Sequence, residues 1–226
     1  MTSSATGWSS SRRDTSRSLR VTEGQHPTAG LSTQGARWRP VIPDEALRWF
    51  AQVSVPWWIA GGWAIDLYLG RTTRDHGDLD VGVLRRDVPV LLRGLEAWEV
   101  YEADDGRLAR LSPGALPGAA VNSLWCRRAH ESDFILELLL DDSEREYWVY
   151  RRDARVRRKL TQLFSGHPSG LRYLAPEVQL LYKSRNARAK DHEDFRAAVA
   201  QLDASARAWL RRHLPDTRAD WIAQLA

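Results

Sequence analysis

Three short stretches of this chain combine residue types that can handle a phosphate and its counter-ions. Asp78-Leu79-Asp80 opens the apolar run Leu79–Leu84. On a strand, residues i and i+2 share a face, so the two carboxylates point together while Leu79 and Val81 turn to the core. Carboxylates held that close repel unless a cation lies between them. Oxygen ligands so paired suit Mg²⁺, which completes its octahedron with water and substrate phosphate. Gly61-Gly62 follows the apolar run Trp57–Ala60 and precedes a helical stretch, where exposed backbone N–H groups favour phosphate. Glu137 stands inside Phe134-Ile135-Leu136-Glu137-Leu138-Leu139-Leu140, and a charge in that setting needs a partner or a metal. Each stretch also has a plainer reading. Asp-x-Asp is a common solvated strand start, and on an edge strand Glu137 would simply face water. Asp133 and Asp141 compete with Glu137 as a third carboxylate.

The rest of the chain bounds what such a site serves. The sequence has 226 residues, 43% hydrophobic and 27% charged, which is ordinary for a globular protein with one substantial core. No apolar run approaches the ~20 residues of a membrane span, so no membrane partner is expected. The single cysteine, Cys126, excludes a disulfide framework and a cysteine-built zinc site. It is expected to be a buried hydrophobe, and the cytoplasm is the expected compartment. The net charge of +4 comes from residues 1–40, where six arginines face Asp14 and Glu23. Residues 41–226 are neutral, which argues against a nucleic-acid partner tracked along its backbone.

Residues 1–40 are rich in Ser, Thr and Arg without hydrophobic periodicity and read as a disordered, dispensable basic tail. Arg12-Arg13 lacks the apolar segment that an export signal requires. Order is expected from Pro43-Asp44-Glu45, the first turn of a helix that Ala46–Val53 continues, followed by a strand at Trp57–Ala60 and a helix at Trp63–Leu69 closed by Gly70. A strand at Leu79–Leu84 and a helix at Val88–Ala97 follow. Strands are then expected at Val100–Ala103, Leu108–Leu111, Ser123–Arg127, Phe134–Asp141 and Tyr147–Arg151. Ser165–Gly170 reads as a loop, and Pro176–Arg185, Asp191–Leu202, Ala204–Leu214 and Ala219–Leu225 as helices. This gives an α/β (α+β) catalytic domain over 41–165 and a helical subdomain over 166–226.

The run from Gly61 to Asp80 matches Gly-Gly-Trp, a helix, then Gly-Arg-x-Thr-Arg-x-His-x-Asp-Leu-Asp. A second stretch comprises Tyr173–Lys183 and Lys190-Asp191-His192-Glu193-Asp194-Phe195. Together they resemble the nucleotidyltransferase superfamily of the polymerase-β type, in its aminoglycoside 2″-adenylyltransferase and lincosamide nucleotidyltransferase branch, over roughly residues 43–214. The resemblance implies a mixed sheet with flanking helices and Mg²⁺-dependent transfer of a nucleoside monophosphate. AMP from ATP would pass to a hydroxyl of a small aminoglycoside- or lincosamide-like acceptor, with release of pyrophosphate. It implies that Asp78 and Asp80 hold two Mg²⁺ ions and that Gly61 and Gly62 shape the triphosphate site. Glu137 is then the third carboxylate, as ligand or proton acceptor. Trp63 stands where many members of the superfamily carry a serine hydroxyl. A toxin–antitoxin type enzyme acting on tRNA or protein is a rival reading, as is a non-catalytic nucleotide binder. A sugar-nucleotide transferase using Asp-x-Asp with Mn²⁺ leaves the Gly-Gly turn and the second stretch unexplained.

Other residues divide between phosphate contact and structure. Arg71 and Arg74 are placed to hold nucleotide phosphates or to pair with Asp66 or Asp75. Lys183 is a candidate phosphate contact, with a surface lysine as its alternative. Lys190 is read the same way, and Asp191 as a helix cap. His76 is expected to orient its loop. Trp57, Trp58 and Trp63 lie near the expected pocket, where they would either stack on a base or sugar or join the core. The basic run Arg151 to Lys159 could touch a triphosphate or another polyanion, with solvated surface as its plainer reading.

Overall fold

The computed structural model describes Met1 and residues 31–225. The chain runs through β1 (Leu31–Ser32), α1 (Asp44–Trp49), β2 (Trp57–Ile59), α2 (Gly61–Leu69), β3 (Asp80–Leu84) and α3 (Val88–Arg93). Next come β4 (Trp98–Asp104), β5 (Arg107–Arg110), β6 (Ser123–Arg128), β7 (Leu136–Glu144), β8 (Tyr147–Val149) and β9 (Arg157–Lys159). The last elements are β10 (Phe164–Gly166), β11 (Arg172–Leu174), α4 (Pro176–Ser184), α5 (Ala189–Val199), α6 (Ala204–His213) and α7 (Ala219–Gln224).

The main sheet has the order β1-β5-β4-β6-β7-β3-β2-β11-β10, with β8 and β9 branching from β7. It is mixed, as expected: β3 and β7 are parallel, β11 and β2 are parallel, and the other pairs are antiparallel. The parallel β3–β7 pair lies at its centre, and this positions the site. Leu79, Val81, Leu136 and Leu138 fill the core beneath it. Trp58 lies against Gly82 so closely that any Cβ at 82 would strike its indole. Cys126 is buried in the core, and burial pushes its thiol far above the ordinary range.

Most expected elements form, and α2 ends at Gly70 in the left-handed region (φ 68°). Three regions depart. Residues 2–30 of the basic tail lie outside the described residues. Residues 31–40 do not form a loose tail: β1 pairs with β5, and Trp38 bridges Phe134. The reason is aromatic packing, because Trp38 joins Tyr101, Phe134 and Trp125 in a small second cluster. The basic run is largely exposed, as expected, but it contains the unexpected strand β9, in which Arg157 pairs with Glu144 and the half-buried Arg158 with Glu177. The loop over 165–170 begins as β10, which extends the sheet through β11.

Candidate active site

The central strand pair determines where the carboxylates meet. Asp80 is the first residue of β3, and Glu137 is its registered partner on β7. Asp78 lies just before the strand. Carboxylate oxygens of Asp78, Asp80 and Glu137 all lie within 4.8 Å of one another, and all three side chains are half-buried. Burial raises the Asp80 carboxyl well above its ordinary value, and the negative charges of Glu137 and Asp78 raise it further. Lys183 and Lys190 only partly offset this. Burial likewise raises Glu137, against the hydrogen bond from the Ser123 hydroxyl. Three oxygen donors with uncompensated charge suit a hard divalent cation such as Mg²⁺.

The glycine turn lies against this cluster. Gly61 has φ 65°, and a Cβ there would collide with the Asp80 carboxylate. Gly62 backs onto Arg74 and His76, where a side chain would also clash. Gly61 N–H donates to Gln179 Oε1 at 2.8 Å. That amide is therefore engaged by α4, while the N–H of Gly62 remains in the first turn of α2, outside the helical ladder. Asp66, on the same helix, organises the following loop. It accepts from Thr73 N at 3.1 Å and faces His76 Nε2 at 2.6 Å. His76 stacks on Trp63 with ring centroids 4.2 Å apart. This fits the loop-orienting role expected of His76.

The cleft over the carboxylates has a volume of about 360 Å³. Gly61, Gly62, Arg74, Asp78, Asp80, Glu137 and Lys183 all line it, so the expected site residues converge on one cleft. Two of them have their charge engaged. Arg74 grips Asp194 with two hydrogen bonds of 3.0 and 3.1 Å. Lys183 Nζ pairs with Asp191 at 3.0 Å and Asp194 at 2.7 Å. Asp191 also caps α5 by accepting from Arg188 N. Arg152, Arg185 and Lys190 line the same cleft and form no ion pair among the described residues. A larger groove, about 530 Å³ between Leu92, Trp98 and Leu116, contains none of the expected site residues.

The competing carboxylates are engaged elsewhere. Asp133 pairs with Arg37 at 2.9 Å, and Asp141 accepts from Trp148 Nε1 and from the Tyr182 hydroxyl. Trp58 is core, and Trp57 packs on Phe50. Arg71 is exposed and does not line the cleft. The sequence reading placed Gln179 and Asp194 in the second stretch without giving either a role in the site, and it missed Arg185. Gln179 precedes Lys183 by four residues and so shares its helix face, which was a usable signal.

A model of the family described as aminoglycoside-2″-adenylyltransferase matches residues 45–197. Among curated proteins, a 2″-aminoglycoside nucleotidyltransferase of Escherichia coli is 36% identical over 81 residues, covering 34% of this chain and 45% of that protein. One of Klebsiella pneumoniae matches to the same extent. The matched segment therefore spans less than half the length of these relatives. Among solved structures, the lincosamide antibiotic adenylyltransferase LnuA with lincomycin bound has a TM-score of 0.51 at 16% identity. That match covers 73% of this chain and 100% of the other. The antibiotic-resistance factor ANT(2″)-Ia gives a TM-score of 0.48 at 19% identity, covering 80% of this chain and 91% of that one.

Proposed function

The chain belongs to the aminoglycoside-2″-adenylyltransferase family, and from that premise we propose that it transfers a nucleoside monophosphate, AMP from ATP, onto a hydroxyl of an aminoglycoside- or lincosamide-like molecule. The observation that carries this reading is the meeting of Asp78, Asp80 and Glu137 within 4.8 Å beside the Gly61-Gly62 turn. The names of the curated relatives and of the lincomycin-bound structure support an antibiotic acceptor.

In this reading Asp78, Asp80 and Glu137 would hold two Mg²⁺ ions, which would supply neutralisation of the charge that develops during phosphoryl transfer. Arg152, Arg185 and Lys190 attract the triphosphate oxygens from the α4–α5 side of the cleft. The Gly62 N–H adds a backbone donor at the start of α2. Glu137, which takes a hydrogen bond from the Ser123 hydroxyl, would accept the proton of the attacking hydroxyl. The hydroxyl oxygen bonds to the α-phosphorus as the bond to pyrophosphate breaks, so no enzyme-bound intermediate is required. Positioning and electrostatics provide most of the acceleration.

The working unit is the mixed sheet with its flanking helices, which includes β11 at Arg172–Leu174, closed by the helices from Pro176 onward, which contribute Gln179, Lys183 and Lys190 to the cleft. No described helix is long and apolar enough to cross a membrane. The cytoplasm, where nucleoside triphosphate is at hand, is the proposed place of action. The test is pyrophosphate release from ATP and GTP with Mg²⁺, against tobramycin, lincomycin and related acceptors. Acceptor-dependent release lost in Asp78→Asn/Asp80→Asn supports the assignment. Release without any such acceptor, or with added RNA alone, overturns the antibiotic assignment.

A further inference from the structure

Residues 31–40 precede the span that the family model matches, yet they lie beside the entry to β7. Arg39 N–H donates to the Phe134 carbonyl and Phe134 N–H to the Arg37 carbonyl, both at 2.9 Å. The Arg37 and Arg39 side chains pair with Asp133 and Glu131. This docking seats Trp38 edge-on against Trp125, with centroids 5.0 Å apart, and against Phe134 at 5.6 Å.

Trp125 is the registered partner of Glu137 across the β6–β7 pair. As cross-strand neighbours the two side chains share one face of the sheet, and the Ser123 hydroxyl donates to Glu137 Oε1 at 2.6 Å. Two residues of β6 thus flank one carboxylate of the triad, Ser123 by a hydrogen bond and Trp125 as its cross-strand neighbour. Ser123 is placed by its strand alone. Trp125 is half-buried, and what keeps its ring from turning is the contact with Trp38 and Phe134. This aromatic cluster is separate from the main core, so loosening it leaves the central sheet packed.

We propose that the segment over residues 31–40 is a positioning element of the carboxylate site: Trp38 holds Trp125, which together with Ser123 orients Glu137 to complete the metal-holding triad. This rests on the reading of Asp78, Asp80 and Glu137 as cation ligands. Partners that orient a metal-binding carboxylate typically affect affinity by about 10–100-fold when removed, and a residue acting through one of them has a smaller effect.

The experiment is titration of the full-length protein with Mn²⁺ alone, read by water-proton relaxation, with thermal melting as the control for folding. Asp80→Asn serves as the reference for loss of the site. Ser123→Ala is expected to weaken Mn²⁺ about tenfold, Trp38→Ala about fivefold, and Trp38→Phe by no more than about twofold. Should Trp38→Ala fail to fold, Arg37→Ala/Arg39→Ala loosens the same segment from the surface and is expected to weaken Mn²⁺ about threefold. Trp38→Ala protein, or the double-arginine variant, that melts cooperatively and binds Mn²⁺ as wild type overturns this proposal alone. Wild type that binds no Mn²⁺, or binds it undiminished in Asp80→Asn, overturns the cation-ligand reading and this proposal with it.

Discussion

Asp80 and Glu137 face each other as registered partners on neighbouring parallel strands, and Asp78 completes a cluster within 4.8 Å. The sheet therefore holds negative charges together that would otherwise separate. Burial and this mutual repulsion raise the Asp80 carboxyl, so the folded state takes up a proton more readily than the unfolded chain. Stability without metal should then fall as pH rises from the unfolded carboxyl value through the raised one.

Asp80→Asn is accordingly expected to raise the melting temperature of the metal-free protein by a few degrees at neutral pH while abolishing turnover. Mg²⁺ should stabilise wild type and leave Asp80→Asn unmoved, since a ligand stabilises only the state that binds it. Differential scanning calorimetry with and without Mg²⁺ checks both statements. A metal-free Asp80→Asn protein that melts below wild type contradicts them.

Gly61 combines a left-handed backbone with direct contact on Asp80. Gly61→Ala should cost about 2 kcal/mol through strain and overpacking. It should also displace the Asp80 carboxylate, with activity falling at least about 100-fold, since misplacement of about 1 Å costs that much. Urea denaturation and steady-state rates measured on the same sample test the pair of effects.

Lys183 is buried between Asp191 and Asp194. Removing its charge in Lys183→Met leaves two buried carboxylates short of a partner, and a loss of about 3 kcal/mol is expected. If Lys183 serves the nucleotide alone, denaturation midpoints will not move and only the KM for the triphosphate will rise.

The same cluster sets an acid limit. Burial pushes the Asp191 carboxyl up, but hydrogen bonds from Arg188 and the Lys183 charge outweigh it and hold the value at about 2. A carboxylate so depressed contributes its stability in full above its unfolded value of about 4. That contribution is lost as pH falls from there toward about 2. Denaturation midpoints should drop across this window in wild type, and less steeply in Asp191→Asn.

Much of the site was legible because its signals are local. Asp78-Leu79-Asp80 shows strand alternation, Gly61-Gly62 separates strand from helix, and Glu137 interrupts an apolar run. What was not legible depends on partners far along the chain. Nothing near Arg74 or Lys183 shows that Asp194 engages them both, or that Gln179 takes the Gly61 amide. Strand β9 and residues 31–40 look polar and featureless alone. They are ordered by Glu144, Glu177 and Phe134 on other elements.

The most direct measurement is the mass of the acceptor after incubation with wild-type protein, ATP and Mg²⁺, with Asp78→Asn/Asp80→Asn as the parallel reaction. The expected result is tobramycin or lincomycin heavier by one AMP unit with wild type and unchanged with the variant. Unchanged acceptors with active wild-type protein, or an adduct that persists in the double variant, would contradict the assignment of this carboxylate cluster to nucleotidyl transfer onto an antibiotic.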